Sequence, residues 1–186
     1  MSSPNWAEIT TAVATILVAL TGVAALRFAW SQLRQAHEQT KVQHLVQFDR
    51  QFSSEPFITY RCELAKKKLA GKDEPSELYV ILDFFETVGL LVRRGYLDPA
   101  DVWSTFGYAV IILFADSREP VRDLQQDDPT NYSDFTSLAQ RMREIERAEG
   151  GSSEYPSAEE IQDFWQTERE VKSGRPAPRR KKVLTK

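Results

Sequence analysis

The sequence predicts an all-α protein, in which an N-terminal transmembrane helix continues into a cytoplasmic bundle of about five helices. Residues 9–26 form an uninterrupted run of 18 uncharged side chains, close to the length that crosses a hydrocarbon core at about 1.5 Å per residue. Later in the chain, apolar residues recur at helical spacing. The runs YVIL and VIIL lie inside these helical patterns, so no strand of convincing length is predicted.

The uncharged run has the flanks of a membrane span. Trp6 and Trp30 bracket it, and amphipathic rings of this kind favour the two membrane interfaces. Two other interpretations stay open. Small residues at Val23, Ala24 and Ala25 allow a cleaved signal peptide, although no basic residue precedes the run, and a buried hairpin helix would also be apolar.

Basic residues lie on one side of the run only: Arg27, Arg34, Lys41 and Arg50 follow it. Cytoplasmic flanks carry the excess of Lys and Arg, so we expect a single-pass inner-membrane protein with its N-terminus outside. The predicted divisions are a span at 1–30, a juxtamembrane helix at 31–52, a cytoplasmic all-α domain at 53–172 and a disordered basic tail at 173–186.

Composition excludes several classes of protein. The 186 residues suit one compact domain with short additions, because domains commonly have about 100–200 residues; a large barrel enzyme is excluded. Cys62 is the single cysteine, which excludes an intramolecular disulfide framework and a zinc site built from several cysteines. The eight glycines form no phosphate-binding loop motif.

The strongest local pattern is a tight helical hairpin at Gly95. An apolar helix over 76–94 ends there, and glycine favours the left-handed conformation of such a stop. Asp98 is suited to cap the next helix, and Pro99 to begin it. Because helix 76–94 is apolar almost all round, it is predicted to be central and surrounded.

The other body helices have clear starts. Ser53 and Ser54 precede a helix at Glu55–Leu69. The remaining predictions are a helix at Pro99–Ala115, a short helix near 120–125, a helix at Phe135–Glu149 capped by Ser133 or Asp134, and a helix opened by a capping box at Ser157 and Glu160. The side chains predicted to point inward include Phe57, Tyr60, Leu64 and Leu69 on the first of these helices and Ile161, Phe164, Trp165 and Glu168 on the last.

Asp83 and Glu86 are acidic residues on the otherwise apolar helix 76–94. Paired carboxylates can carry out acid–base chemistry when burial separates their pKa values. The alternative is an internal ion pair between one of them and Arg61, Arg93 or Arg94. With no histidine on that helix and no nucleophile motif, the sequence favours the structural interpretation.

Three other features carry weaker functional interpretations. Cys62 could be activated by its neighbour Arg61, or simply fill space.

His37 and His44 lie seven residues apart, too far along one helix to bind one metal ion, but a parallel dimer would bring each to its symmetry mate. The basic tail, with Arg179, Arg180, Lys181 and Lys182, could contact anionic lipid, bind nucleic acid without specificity, or only aid solubility.

The stretches FFETVGLLVRRGYLDPADVWSTFGYAVIILF (84–114) and NYSDFTSLAQRM (131–142) resemble a family of uncharacterised bacterial membrane-anchored helical proteins, known as a domain of unknown function. The resemblance covers about residues 6–142. It implies an N-terminal span and the Gly–hydrophobic–Asp hairpin. The family brings no established active site, so it implies no catalytic residue.

These features predict a non-enzymatic interaction or regulatory module without a cofactor, whose partners are membrane lipid, a second copy and an unidentified protein. Nucleic acid is not an expected partner, because the body of the chain before the basic tail is acidic. Small residues at Thr11, Thr15 and Ala19 share one helix face and would let two spans approach closely. The alternative is an oligomerising membrane effector of a bacterial toxin or antiphage system. A hydrolase would need a polar pocket that the sequence does not locate.

Overall fold

The computed structural model describes residues 21–22, 25–30, 32, 40–72, 75–151 and 155–171. Within these ranges the chain is helical or in short turns, with no strand, so the predicted all-α class is confirmed for this part of the protein. The chain divides into two compact units, Met1–Thr40 and Lys41–Lys186. The described residues of the first unit are helical.

Most of the predicted span, residues 1–30, lies outside the described residues. Among the helices that can be described, none is both long enough and apolar enough to cross a membrane.

The second unit is a helical bundle. Six described helices follow residue 53, where the sequence predicted about five, and one further helix precedes them. The elements are α1 (41–52), α2 (Glu55–Leu69), α3 (Ser76–Arg93), α4 (Pro99–Asp116), α5 (Arg118–Asp127), α6 (Ser133–Ala148) and α7 (Ala158–Arg169).

The core is built around phenylalanine side chains from five helices. The Phe52 ring of α1 lies 5.5 Å from Phe84, 5.7 Å from Phe85 and 5.4 Å from Phe106, measured between ring centroids. Phe85 also contacts Phe135 of α6. Aromatic pairs at these separations add to the stabilisation from burial alone. The cluster therefore fixes α3 between α1, α4 and α6.

Two expectations about burial are wrong. Helix α3 is not surrounded, because Val80, Asp83 and Thr87 are exposed at spacings of three and four residues and form one solvent-facing stripe. Tyr60 does not point into the core either, since 44% of its surface is exposed. The start of α2 still follows its local pattern, with Ser54 preceding it and proline in its first turn.

The start of α6 differs from the expectation that Ser133 or Asp134 caps it. Tyr132 is the N-cap residue, with a left-handed φ of 52°, and its side chain makes no capping hydrogen bond. A left-handed conformation is unusual for a residue with a Cβ, so contacts from another helix hold this turn.

Candidate functional site

Gly95 ends the α3–α4 hairpin in the predicted conformation, with φ at 76°. The amide of Tyr96 donates to the carbonyl of Leu91 at 2.9 Å, and the Gly95 amide donates to Val92 at 3.0 Å. These bonds satisfy carbonyls that the helix end would otherwise leave unpaired. The hairpin is thus a structural feature and carries no reactive group.

Asp98 and Pro99 begin α4 as the sequence predicts. The Asp98 side chain accepts a hydrogen bond from the amide of Ala100 at 2.8 Å, and Pro99 occupies the first helical turn. Leu97, between the glycine and the cap, is 2% exposed and anchors the connection in the core.

Arg61 does not meet Asp83 or Glu86, which corrects the first of the ion-pair expectations. It pairs with Glu168 of α7 through two hydrogen bonds of 2.7 Å, Nε to Oε2 and Nη2 to Oε1. Its third donor, Nη1, bonds the Phe52 carbonyl at 3.0 Å, and its guanidinium lies 3.9 Å from the centroid of the Phe52 ring. The side chains of Arg61 and Glu168 are 4% and 1% exposed, so the pair is a buried connection between α2 and α7.

Glu86 does not form an ion pair with an arginine but binds the N-terminus of α6. Its Oε2 accepts a hydrogen bond from the Phe135 amide at 2.6 Å, and its Oε1 accepts one from the Asp134 amide at 3.2 Å. A carboxylate at this end of a helix also interacts favourably with the helix dipole. Glu86 thus supplies the cap that Tyr132 lacks.

Asp83 and Arg93 complete the contact between α3 and α6. The Tyr132 hydroxyl donates to Asp83 at 3.0 Å, and burial together with this bond raises the pKa of Tyr132. Arg93 donates to both carboxylate oxygens of Asp134, at 2.5 Å from Nε and 3.0 Å from Nη2. The hydrogen bonds from Arg93 lower the pKa of Asp134. The two carboxylates proposed for acid–base chemistry are therefore both engaged in joining helices.

Gly89 lets these helices approach. A Cβ at this position would overlap the carbonyl group of Asp134 in α6. The sequence pattern did not predict the role of this glycine, of Asp134 as an ion-pair partner or of Glu168 as the partner of Arg61. Of these residues, only Glu168 could be placed on a buried helix face from the sequence, because it shares helical spacing with Phe164 and Trp165.

Cys62 is not activated by Arg61. Burial, followed by the nearby Glu168 carboxylate, raises the pKa of the thiol. Its Sγ donates to the carbonyls of Glu168 at 3.3 Å and Val171 at 3.4 Å. A raised pKa disfavours the reactive thiolate, so these contacts support the space-filling interpretation.

Several candidate residues lie outside the described residues: His37, the tail residues Arg179, Arg180, Lys181 and Lys182, and the small-residue positions Thr11, Thr15 and Ala19. His44 lies half-buried on α1. Across the described ranges, no group of three or more His, Cys, Asp or Glu side chains could hold a metal ion.

The fold and these contacts define a class of protein: a small all-helical domain whose motif residues join helices. Residues 9–142 match the model of the family described as Domain of unknown function (DUF4760). This match covers well over half of the 186 residues, and the chain belongs to that family. No curated protein and no solved structure matches the chain.

The family match covers some helices of the body and not others. It includes the α3–α4 hairpin and the Glu86 cap but ends at Met142, within α6. Helix α7 and its Glu168 lie beyond it. The buried Arg61–Glu168 pair therefore connects the matched region to a helix beyond it.

Proposed function

We propose that this chain is a membrane-tethered helical domain that acts as a non-enzymatic interaction or regulatory module, with its body in the cytoplasm. The observation that carries the proposal is the surface of the helical residues 25–30. Leu26, Phe28 and Trp30 are exposed over 73%, 65% and 76% of their surfaces. Large apolar side chains at this exposure, grouped within five residues, are typical of a surface that contacts lipid or a partner.

Lipid is the occupant that the neighbouring sequence favours. The exposed residues continue the uncharged run at 9–26, and Trp30 is of the residue type that favours the interface. Arg27 lies beside them, and long basic side chains near a span end can reach the headgroups. The family match begins at residue 9, so the run belongs to the family domain.

The polar contacts of the body support an interaction role over catalysis. Asp83, Glu86 and Arg61 all bond to groups on other helices or to the core, and the pKa of the Cys62 thiol is raised. These side chains hold the bundle in one arrangement, as a docking scaffold requires.

Membrane extraction of the full chain tests the tether. We expect the protein to stay in the membrane fraction after a carbonate wash. Val18→Arg is expected to cost about 2.5–3.5 kcal/mol of insertion and to release it. Val42→Arg, at a position 55% exposed on α1, is the matched control and should leave the distribution unchanged. Wild-type protein in the soluble fraction, or equal release of both variants, would contradict the proposal.

The orientation and the alternative function need separate measurements. A cytoplasm-active reporter fused after Lys186 should be active, and activity only of a periplasmic reporter would overturn the orientation. Induction of the chain should leave the membrane potential intact. Collapse of the potential would favour a membrane-disrupting effector over an interaction module.

We also propose that two or more copies associate through the apolar run and the helix after it. Support comes from the small residues at Thr11, Thr15 and Ala19, which would allow close packing in lipid. In the sequence, Trp30, Leu33, His37, Thr40 and His44 recur at steps of three and four, a pattern that predicts a seam between paired helices. A cysteine at Thr40, on this seam, should crosslink between chains, and one at Gln39 should do so poorly. Equal crosslinking at both positions would contradict the association.

A further inference from the structure

We infer that a cleft between the C-terminal end of α2, the α4–α5 junction and α7 binds a small organic anion with an apolar or aromatic body. The cleft has a volume of about 810 Å³, which lies within the range of about 300–1,000 Å³ found for small-molecule sites. It lies in the second unit, and Thr136 of α6 also lines it.

One side of the cleft is apolar. Leu69 of α2, Phe114 of α4, and Ile161 and Trp165 of α7 all line it. Trp165 is 4% exposed, and its ring packs at 5.0 Å from Phe164. An apolar wall of this kind takes up the body of a ligand by removing it from water.

The charged groups at the cleft favour an anion. Lys68 and Asp116 line it as an ion pair, with Nζ 3.0 Å from Oδ2. Arg118 and Arg122 of α5 lie four residues apart and therefore share one helix face. Glu119 also lines the cleft. Together with the Lys68–Asp116 pair and the two arginines, it gives the lining three basic and two acidic side chains.

The two arginines have only weak contacts among the described residues. The Arg118 guanidinium lies 4.8 Å from the centroid of the Tyr155 ring. Arg122 lies 3.8 Å from the carboxylate of its neighbour Asp123, and both side chains are more than half exposed. Exposed contacts of this kind contribute little to stability. Both guanidiniums can therefore turn to a carboxylate or sulfonate and bind it through two parallel hydrogen bonds.

Trp165 and Asp116 each place a buried polar atom in the lining of the cleft. The indole Nε1 of Trp165 is buried and has no hydrogen-bond partner within the described part of the chain. This nitrogen is a donor only, and leaving a buried donor unsatisfied is unfavourable. The acceptor Oδ2 of Asp116 in the same lining is likewise buried without a hydrogen bond, although it pairs with Lys68. The choice of an anion therefore rests on Arg118 and Arg122.

A ligand in the cleft would contact helices on both sides of the end of the family match. Helices α2, α4 and α5 belong to the family domain, whereas α7 lies beyond it. A molecule bound in the cleft contacts both and stabilises the docking of α7.

Calorimetry with the purified full chain tests the site. The probes are 2-naphthoate and its uncharged counterpart 2-naphthamide, each titrated against a protein-free blank of the same buffer. We expect saturable 1:1 binding of the naphthoate, about tenfold or more tighter than that of the amide, because charge-assisted hydrogen bonds contribute this much. Absence of saturable naphthoate binding, or equal binding of both probes, would overturn the inference.

Variants place the binding in the cleft. Arg118→Gln combined with Arg122→Gln should weaken naphthoate binding about tenfold or more, with an unchanged thermal midpoint. The matched control combines Arg141→Gln with Arg169→Gln, both from exposed ion pairs outside the cleft, and should bind as the wild type does. Equal loss in the control, or wild-type binding in the double arginine variant, would contradict the site.

Discussion

Glu86 in α3 and Phe135 in α6 are joined by a hydrogen bond of 2.6 Å from the Phe135 amide to the Glu86 carboxylate. The residues are 49 positions apart in the sequence, yet the bond does the work of a local helix cap. It compensates for Tyr132, whose side chain makes no capping bond. The first turn of α6 therefore depends on the position of α3.

Glu86→Ala is expected to lower the free energy of unfolding by about 1–3 kcal/mol, because it leaves two amides of α6 without their acceptor. Glu86→Gln should be milder, since its amide oxygen can still accept a bond. Chemical denaturation measures both. Glu144→Ala, from an exposed pair with Arg141, is the control and should change stability by less than about 0.5 kcal/mol. Equal effects at positions 86 and 144 would contradict the cap.

Gly89→Ala tests the close approach of the same two helices. The new Cβ would overlap the Asp134 carbonyl, so α3 and α6 must separate at a cost of about 1–3 kcal/mol. Thr87→Ala, exposed on the same helix, should stay within about 0.5 kcal/mol of the parent. Thermal unfolding of both variants gives the comparison, and an unchanged midpoint for Gly89→Ala would contradict the packing.

Features set by neighbouring residues could be predicted from the sequence. The bounds of α2, the left-handed Gly95 and the Asp98 cap all follow from side chains a few positions apart. The cap of α6 and the Arg61–Glu168 pair could not be predicted, because their partners lie 49 and 107 positions apart. Only the folded bundle brings such groups together.

The exposed stripe of α3 shows a second limit. Its apolar composition indicated a surrounded helix, but Asp83 and Thr87 already marked a polar side at a spacing of four residues. Val80 lies on the same side and is exposed although it is apolar, so the pattern of apolar residues did not show this side as solvent-facing. Exposed single apolar residues are common in folded proteins, so composition alone overstates burial.

The hairpin can be tested at its two key positions. Gly95→Val places a β-branched residue at a φ of 76°, which is expected to cost about 1–3 kcal/mol. No atom lies near enough to clash with the new Cβ, so the loss would report backbone strain alone. Asp98→Ala should lose about 1 kcal/mol of capping. Unchanged thermal midpoints for both variants would refute this account of the hairpin.

The Arg93–Asp134 pair predicts a dependence of stability on pH. Because hydrogen bonds from Arg93 lower the pKa of Asp134, the unfolded chain takes up this proton before the folded one as the pH falls. The stabilisation that Asp134 contributes is complete above the usual aspartate pKa of about 4. It is lost as the pH falls through the lower pKa of Asp134 in the folded state. The Arg93 side chain is 60% exposed, so solvent screening keeps the effect small.

Asp134→Asn should therefore be less stable than the parent at neutral pH, and the difference should shrink in acid. Denaturant unfolding at a series of pH values measures it, and Arg93→Gln should remove the same part of the pH dependence. A stability difference that is constant from neutral pH to acid would show that Asp134 acts through shape and not through its charge.

The buried pair of Arg61 and Glu168 should be far more sensitive. Removing one partner leaves the other charge buried without compensation, so Arg61→Met and Glu168→Gln are each expected to cost about 3–5 kcal/mol. The double variant should recover part of this loss, because neither charge then remains. Denaturant unfolding of the four proteins gives the coupling between the two residues. Losses that simply add in the double variant would mean that α7 is held by its aromatic contacts and not by this pair.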